Sequence, residues 1–197
     1  MSKNIFIDCG THHGEGIQEF HDKGIIDNTF EIHTFEANPE CNIEKRIKDI
    51  PLNITTYNKA VWVEDGWVTF YQEDHTHSGS GSPSDGRSNI DGWGSTIEET
   101  GFFKEEFINY PSIKVESIDF NKFLKTFPDD YYIVCKIDIE GSEFPVLRKL
   151  IHEKTLSKIN LLYVEFHEWG MDSEDKESIK KIKNDALNLG VSIFDWH

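Results

Sequence analysis

Apolar runs of strand length alternate with helix-type patterns along this sequence, and few folds accommodate that alternation. Strands are expected at residues 5–7, 29–35, 52–57, 131–139, 159–166 and 191–194. Helices are expected between them, including one over residues 117–124 and a longer one over residues 174–189 that ends at Gly190. Because strands that alternate with helices build a largely parallel, doubly wound sheet, the chain is predicted to have an α/β fold.

Two stretches interrupt this alternation. Residues 59–71 alternate apolar and polar side chains around Asp65 and Gly66, a pair that favours tight turns, and so predict an added β-hairpin. Residues 74–95 are rich in Gly and Ser and have no apolar period. That composition is typical of a long loop, which would serve as a flexible spacer, a lid or a substrate loop.

Length, charge and cysteine spacing limit the classes of function. A chain of 197 residues is enough for one α/β domain, so a single domain over residues 1–197 is expected. The formal net charge of −16 argues against nucleic-acid binding, which needs clustered Lys and Arg. No apolar run approaches ~18 residues, so membrane insertion is not expected. Cys9, Cys41 and Cys135 lie far apart without a paired motif, and the start lacks a signal peptide, which together favour the cytoplasm.

The first strand leads into a glycine-containing loop and then a helix, an arrangement that forms nucleotide sites. Asp8 ends the apolar run at residues 5–7, Gly10 and Gly14 follow, and a helical pattern begins at Glu15. This spacing does not match the G-x-G-x-x-G pattern of dinucleotide sites. The sequence therefore predicts a nucleotide site of another kind.

Glu36 ends the second strand, where its carboxylate can accept hydrogen bonds from both ribose hydroxyls of a nucleotide. Its charge disfavours a 2′-phosphate, so NADP is not expected. Asp8 could then face the ammonium group of S-adenosylmethionine. The backbone amides from Gly10 to Gly14 could meet the carboxylate of the same molecule.

Charged residues also occur near the ends of two strands that should otherwise be apolar throughout. Asp138 and Glu140 are two positions apart and are expected to share a face of one strand, and Glu165 and His167 do the same on the next. Ligands of open α/β sheets bind at the carboxyl ends of the strands. The sequence therefore predicts that these side chains meet at the ligand site.

A set of motifs resembles a known family. The chain contains, in this order, IDCGTHHGEG, TFEANPE, YNKAVWVEDGWVTFY, IKVESIDFNKFL, KIDIEGSEFPVLRKL and YVEFHEW. From about Asn4 to Trp169 it is similar to the FkbM family of S-adenosylmethionine-dependent methyltransferases. The resemblance implies a Rossmann-like class I methyltransferase fold and methylation of a hydroxyl, often on a sugar or a small metabolite.

The same resemblance implies a set of cofactor contacts. It places a cofactor loop after the first strand, a ribose contact after the second and an adenine contact further on. The residues implied are Asp8, Gly10, Thr11, His12, Gly14, Glu36, Ala37, Asn58 and Ala60. His12 stands where the family usually has Asn, although contacts through the loop backbone would survive that change.

Methyl transfer to a hydroxyl needs the acceptor aligned and its proton removed. His167 is the candidate base, since its ordinary pKa is near ~6.5, and Glu165 or Asp138 could orient its ring. The alternative is that Asp138, Glu140, Glu165 and His167 hold Mg²⁺ or Mn²⁺, which would lower the pKa of the hydroxyl. These residues are the candidate catalytic group in either case.

Other functions remain open at this point. An oxidoreductase that uses NAD would share the fold, and so would a nucleotide-binding module without catalysis. If the chain is a methyltransferase, its expected partner is a small-molecule or glycan acceptor. The sequence does not indicate an oligomeric state.

Overall fold

The structure is a computed structural model that describes residues 2–41, 52–72, 96–97, 111–167 and 173–196. The loop expected at residues 74–95 lies outside these ranges. No helix in the part of the chain that the structure describes is long and apolar enough to cross a membrane.

A six-stranded sheet forms the centre of the molecule, in the spatial order β10-β9-β8-β1-β2-β3. Its strands are β1 (Asn4–Cys9), β2 (Phe30–Phe35), β3 (Asn53–Tyr57), β8 (Tyr132–Ile137), β9 (Leu161–Val164) and β10 (Ile193–Asp195). Every neighbouring pair is parallel. The predicted α/β fold with a largely parallel sheet is therefore confirmed.

Helices cover both faces of this sheet. They are α1 (Glu15–Asp22), α2 (Phe120–Lys125), α3 (Glu143–His152) and α4 (Ser173–Asn188), with a 3₁₀ turn at Thr155–Lys158. Phe6 of β1 packs with Ile17 and Phe20 of α1 on one face. Its neighbours Ile5 and Ile7 belong to the larger core on the other face, which α2, α3 and α4 cover. The alternation along β1 thus separates two cores, as a doubly wound sheet requires.

A second, four-stranded sheet has the order β4-β7-β5-β6. Its strands are β4 (Ala60–Trp62), β5 (Gly66–Tyr71), β6 (Thr96–Ile97) and β7 (Ser112–Asp119). Its core contains Trp62, Val68 and Phe70. The added β-structure that the sequence predicted is present as this small sheet.

The strand pairing within the small sheet differs from the predicted hairpin. β4 and β5 do not pair with each other; β7 lies between them, parallel to β4 and antiparallel to β5. The turn residues are bonded to β7, because the side chain of Asp65 accepts a hydrogen bond from the backbone N–H of Asp119 and the backbone carbonyl of Glu64 accepts one from the hydroxyl of Ser117. These contacts leave β4 and β5 separated by the width of one strand.

The helix expected over residues 117–124 begins later, at Phe120. Residues 117–119 continue β7, and the side chain of Asp119 accepts a hydrogen bond from the backbone N–H of Lys122. This bond is an N-cap, which explains why the helix starts there.

The chain reverses its direction of strand addition between β1 and β8. It runs outward from β1 to β2 and β3, then returns to place β8 on the other side of β1. A crevice forms at such a reversal, at the carboxyl ends of the strands, and this is where open α/β sheets bind ligands.

Candidate active site

The loop that follows β1 is held by its close approach to the end of β8. Gly10 has a left-handed backbone (φ 77°), and a Cβ at this position would lie 1.7 Å from the carbonyl oxygen of Asp138. Any other residue would clash with the backbone there. Gly10 is therefore required by the fold of the site, whichever ligand occupies it.

The backbone N–H groups of this loop all donate to acceptors within the protein. Those of Gly10 and Thr11 bond to the carbonyl of Phe35, and that of Gly14 bonds to the carbonyl of Thr11. The N–H groups of His12 and His13 bond to the carboxylates of Glu36 and Glu15, respectively. Each of these amides already has an acceptor within the protein, so their expected contact with the carboxylate of a ligand stays a prediction.

Glu36 lies directly after β2, and both of its oxygens accept hydrogen bonds. The backbone N–H of His12 donates to Oε2 and that of Asn38 donates to Oε1, each at 2.7 Å. Burial raises the pKa of Glu36, while these two hydrogen bonds act in the opposite direction. A carboxylate has about four acceptor positions, so Glu36 retains capacity for further donors.

Asn38 lies beside Glu36 and presents a buried donor. Its side-chain Oδ1 accepts hydrogen bonds from the backbone N–H of Glu40 and the side-chain amide of Gln72. Its Nδ2 is buried and has no hydrogen-bond partner among the described residues. A buried donor of this kind costs stability unless a ligand or a water accepts its hydrogen bond.

Lys136 of β8 is a buried cation between two carboxylates. Its Nζ lies 3.3 Å from Oδ1 of Asp8 and 3.0 Å from Oδ2 of Asp138, and it donates to the carbonyl of Gly10 at 2.8 Å. Burial alone would lower the pKa of Lys136, but the two carboxylates raise it above its ordinary value. Burial raises the pKa of Asp8, and Lys136 opposes that rise.

This arrangement changes the role expected for Asp8. The sequence suggested that Asp8 faces the ammonium of a ligand, but its side chain is fully buried and its cationic partner is Lys136. Asp138 is the more exposed carboxylate partner of Lys136, and it lines a cavity at this edge of the sheet.

Glu143, at the start of α3, joins the loops that follow β8 and β9. Its Oε1 accepts from the backbone N–H of His167 at 2.8 Å and lies 3.1 Å from the ring Nδ1 of His167. Its Oε2 accepts from the backbone N–H of Gly141 at 2.9 Å. The side chain is fully buried. Glu143 thus fixes both the position of His167 and the orientation of its ring.

Glu143 is not among the site residues predicted from the sequence, although a signal for it was present there. Glu143 shares a helix face with Val146, Leu147 and Leu150, which are buried in the core. A carboxylate on the apolar face of a helix must find buried partners.

The other ring nitrogen of His167 faces a group of carboxylates. Nε2 lies 3.3 Å from Glu140 Oε2, 3.7 Å from Asp138 Oδ1 and 3.9 Å from Glu165 Oε1. The predicted catalytic residues therefore do come together. They lie in the loops after β8 and β9 rather than on the strands themselves. Glu140 has a left-handed backbone (φ 52°), which is uncommon for a residue with a side chain and typical of functional sites.

The electrostatics of this acidic group differ from the expectation for an isolated histidine. Burial alone would lower the pKa of His167, but Glu143, followed by Glu140 and Asp138, raises it to about 9. Burial raises the pKa of Glu140 to about 8. His167 was expected to be a base with a pKa near ~6.5. Its raised pKa means that the ring instead holds its proton at neutral pH.

A cavity of about 220 Å³ opens at the carboxyl ends of β1, β2 and β8. The predicted site residues that line it are Gly10, Thr11, His12, Glu36, Ala37, Ala60, Asp138 and Glu140. The predicted site residues that do not line it are Asp8, Gly14, Asn58, Glu165 and His167. The cavity thus runs from the loop of Glu36 to the acidic group around His167.

Several lining residues have no signal in the local sequence. Phe70 of β5 and Ile97 of β6 reach the cavity from the small sheet, and Trp196 reaches it from beyond β10. Each lies far along the chain from the β1 loop, so only the packing of the two sheets brings them there.

Comparison with known families agrees with this geometry. A model of the methyltransferase FkbM domain matches residues 8–185 of the 197-residue chain. The chain belongs to the FkbM methyltransferase family. No curated protein and no solved structure matches the chain. FkbM membership confirms the resemblance noted in the sequence and favours methyl transfer over the NAD-dependent alternative.

Methyltransferases such as the FkbM family generally use S-adenosylmethionine, and the cavity fits that molecule chemically. Glu36 retains acceptor capacity for the hydroxyls of a ribose, and the buried Nδ2 of Asn38 beside it needs an acceptor. Lys136 and Asp138 line the cavity as a cation and an anion, which suits a group that carries both a carboxylate and an ammonium.

Proposed function

We propose that this FkbM methyltransferase is an S-adenosylmethionine-dependent O-methyltransferase whose acceptor is a hydroxyl of a sugar or glycan. The observation that carries the proposal is a cavity with Glu36 at one end and, at the other, Asp138 and Glu140, the carboxylates that face His167. When bound, S-adenosylmethionine supplies a methyl group activated on a sulfonium. The chain must bind the nucleoside, align the acceptor and take its proton.

The binding role falls to the loops after β1 and β2. Glu36 would accept hydrogen bonds from ribose hydroxyls. Ala37 and Ala60 also line the cavity and would provide an apolar surface for the nucleoside. Lys136 would attract the carboxylate of the amino-acid part, and Asp138 its ammonium.

The catalytic role falls to the acidic group. The Nε2 of His167 would take the proton from the acceptor hydroxyl, while Glu143 stabilises the resulting imidazolium through Nδ1. With a pKa of about 9, only about 1% of His167 is in the basic form at pH 7, but each basic molecule is a stronger proton acceptor. Turnover should therefore rise as the pH approaches 9.

The acceptor class follows from charge and hydrogen bonding. Asp138 and Glu140 line the cavity beside the proposed base, and carboxyl groups offer several hydrogen-bonding positions to hydroxyl groups at once. The net charge of −16 disfavours an anionic acceptor. Both features favour an uncharged polyhydroxylated molecule as the acceptor. Separately, we propose that the reaction takes place in the cytoplasm.

A divalent cation is the second candidate for activating the hydroxyl. Asp138, Glu140 and His167 each offer one ligand atom, and these atoms lie within 4.8 Å of one another. Oxygen-rich ligands of this type suit Mg²⁺ or Mn²⁺. Loss of turnover on chelation and its recovery with Mg²⁺ or Mn²⁺ would favour this mechanism; turnover that resists chelation would favour the His167 base.

The decisive experiment is methyl transfer measured by mass spectrometry against a panel of sugars and glycans. Binding of S-adenosylhomocysteine is measured by calorimetry in parallel. We expect His167→Ala to lose turnover by ~10²-fold or more and to keep its affinity for S-adenosylhomocysteine. Turnover unchanged in this variant would remove the base assignment. Absence of transfer to every sugar, with the cofactor bound, would exclude the proposed acceptor class or indicate a non-catalytic module.

A further inference from the structure

A second group of metal-ligand side chains lies beside the cofactor loop, separate from the acidic group. It consists of His12 and His13, in the loop after β1, and Cys41, in the turn that follows β2. One ring nitrogen from each histidine and the Sγ of Cys41 lie within 4.8 Å of one another. All three side chains are half-buried, so an ion from solution can reach them. No role proposed above uses His13 or Cys41.

The backbones that carry these ligands belong to one hydrogen-bonded unit centred on Glu36. The backbone N–H of His12 donates to Oε2 of Glu36, and that of Asn38 donates to Oε1. The backbone N–H of Cys41 in turn donates to the carbonyl of Asn38 at 3.2 Å. The loop after β1 and the turn after β2 are therefore fixed relative to each other before any ion binds.

The two imidazole rings are also brought together by the backbone. His12 has a left-handed conformation (φ 51°), and the ring centroids of His12 and His13 are 4.2 Å apart. Successive residues of an extended chain point in opposite directions, so the turn at His12 is what puts both rings on one side. The backbone N–H of His13 donates to Oε2 of Glu15, and the same oxygen lies 3.4 Å from Nδ1 of His12.

The ligand chemistry selects the class of metal. Two imidazoles and a thiolate suit Zn²⁺ and related borderline-soft ions, whereas Mg²⁺ and Mn²⁺ prefer oxygen ligands. In a tetrahedral zinc site, with bonds of about 2.0–2.3 Å, the ligand atoms are roughly 3.3–3.6 Å apart. Rotation about side-chain bonds can close the remaining ångström or so. Oε2 of Glu15 lies 3.4 Å from Nδ1 of His12, so a small movement of Glu15, or a water molecule, would supply a fourth ligand.

We propose that His12, His13 and Cys41 bind a Zn²⁺ ion, with Glu15 or a water molecule as the fourth ligand. Binding deprotonates the thiol of Cys41, so one proton is released to solvent for each ion bound. The ion ties the loop after β1 to the turn after β2 at the side of the cavity where Glu36 lies. It is a structural clamp and takes no part in removing the acceptor's proton.

The site is tested with Co²⁺ as a spectroscopic substitute for Zn²⁺ on the metal-free, full-length protein. We expect one equivalent of Co²⁺ to give the ultraviolet charge-transfer band of a cobalt-bound thiolate, and Zn²⁺ to displace it. Cys41→Ser should lose the band, and His13→Ala should weaken Co²⁺ affinity by at least ~10-fold. His152→Ala, which changes an exposed histidine outside the cavity, is the matched control and should behave as the wild type.

Three results would overturn the proposal: no thiolate band in the wild type, a band that persists in Cys41→Ser, or binding that disappears in Glu140→Gln. The last result would place the ion in the acidic group instead. Circular dichroism of the metal-free variants checks their folding. If Cys41→Ser does not fold, His13→Ala, which keeps the thiol, gives the same decision through its affinity.

A separate measurement tests the clamp, and this part alone rests on the proposed function. Zn²⁺ should raise the affinity for S-adenosylhomocysteine in the wild type and leave it unchanged in Cys41→Ser. A cobalt band without this effect would retain the zinc site and refute the coupling to the cavity. Failure of S-adenosylhomocysteine to bind under any condition would count against the proposed function, not against the zinc site.

Discussion

Replacing Glu143 with Gln should lower the pKa of His167. Gln keeps the shape of the side chain and an oxygen that can accept a hydrogen bond, but it removes the negative charge beside Nδ1. In the native protein the pKa of His167 is raised from 6.5 to about 9, which corresponds to about 3 kcal/mol in favour of the imidazolium. Glu143 is the largest favourable contributor, and burial, which lowers the pKa, remains in the variant.

We therefore expect the pKa of His167 to fall by at least about 1 unit in Glu143→Gln. The measurement is an NMR titration of the imidazole carbon-bound proton in wild type and variant. Glu165→Gln is the matched control: its carboxylate lies 3.9 Å from Nε2 and is half-exposed, so its removal should move the pKa much less. An unchanged pKa in Glu143→Gln, or an equal fall in both variants, would refute the assignment of Glu143 as the principal partner.

The same substitution should change how stability depends on pH. Because folding raises the pKa of His167, its contribution to stability is complete below pH ~6.5 and is lost as the pH rises through about 9. The wild type should lose up to about 3 kcal/mol of unfolding free energy from this group over that range. Urea unfolding at pH 6 and pH 9.5 should show a smaller loss in Glu143→Gln.

Three further substitutions test other parts of the site. Gly10→Ala should destabilise the protein by ~3 kcal/mol or more in urea unfolding, because its Cβ would lie 1.7 Å from a backbone oxygen. Lys136→Met should cost ~3–5 kcal/mol near neutral pH, because it leaves Asp8 buried without its cation, and less at pH 4, where that carboxyl group can protonate. Glu36→Gln should weaken S-adenosylhomocysteine binding by ~10- to 100-fold in calorimetry, through loss of hydrogen bonds to a charged acceptor.

Each of these variants has a control elsewhere in the chain. Gly24 has a similar left-handed backbone, but nothing lies within 4 Å of a Cβ added there. Gly24→Ala should therefore lower the free energy of unfolding by only ~1 kcal/mol. Lys3→Met removes an exposed ion pair and should change stability by less than ~1 kcal/mol. Glu40→Gln should leave S-adenosylhomocysteine affinity unchanged. Equal effects of a variant and its control would show that the named contact is not the cause.

The strands and helices of this fold were predictable because each depends on the spacing of apolar residues within a short stretch of the chain. Apolar runs and helix-type spacing predicted the main strands and the doubly wound order, and a carboxylate after a strand predicted Glu36 at the crevice. The carboxyl ends of parallel strands share one edge of a sheet, so the meeting of Asp138, Glu140, Glu165 and His167 also followed from pattern alone. The single-domain organisation stays a prediction.

The sequence by itself determined the layers of the fold and the edge of the sheet at which chemistry takes place, since periodicity and strand polarity are properties of neighbouring residues. Only the tertiary structure decided which buried charged side chains pair with each other. It paired Asp8 with Lys136, bonded Glu143 to a histidine beyond β9, and placed β7 between β4 and β5. These choices depend on distance and burial between residues far apart in the chain. Packing determines which oppositely charged or hydrogen-bonding group lies beside a buried ionisable side chain, and that neighbour shifts the pKa of the side chain.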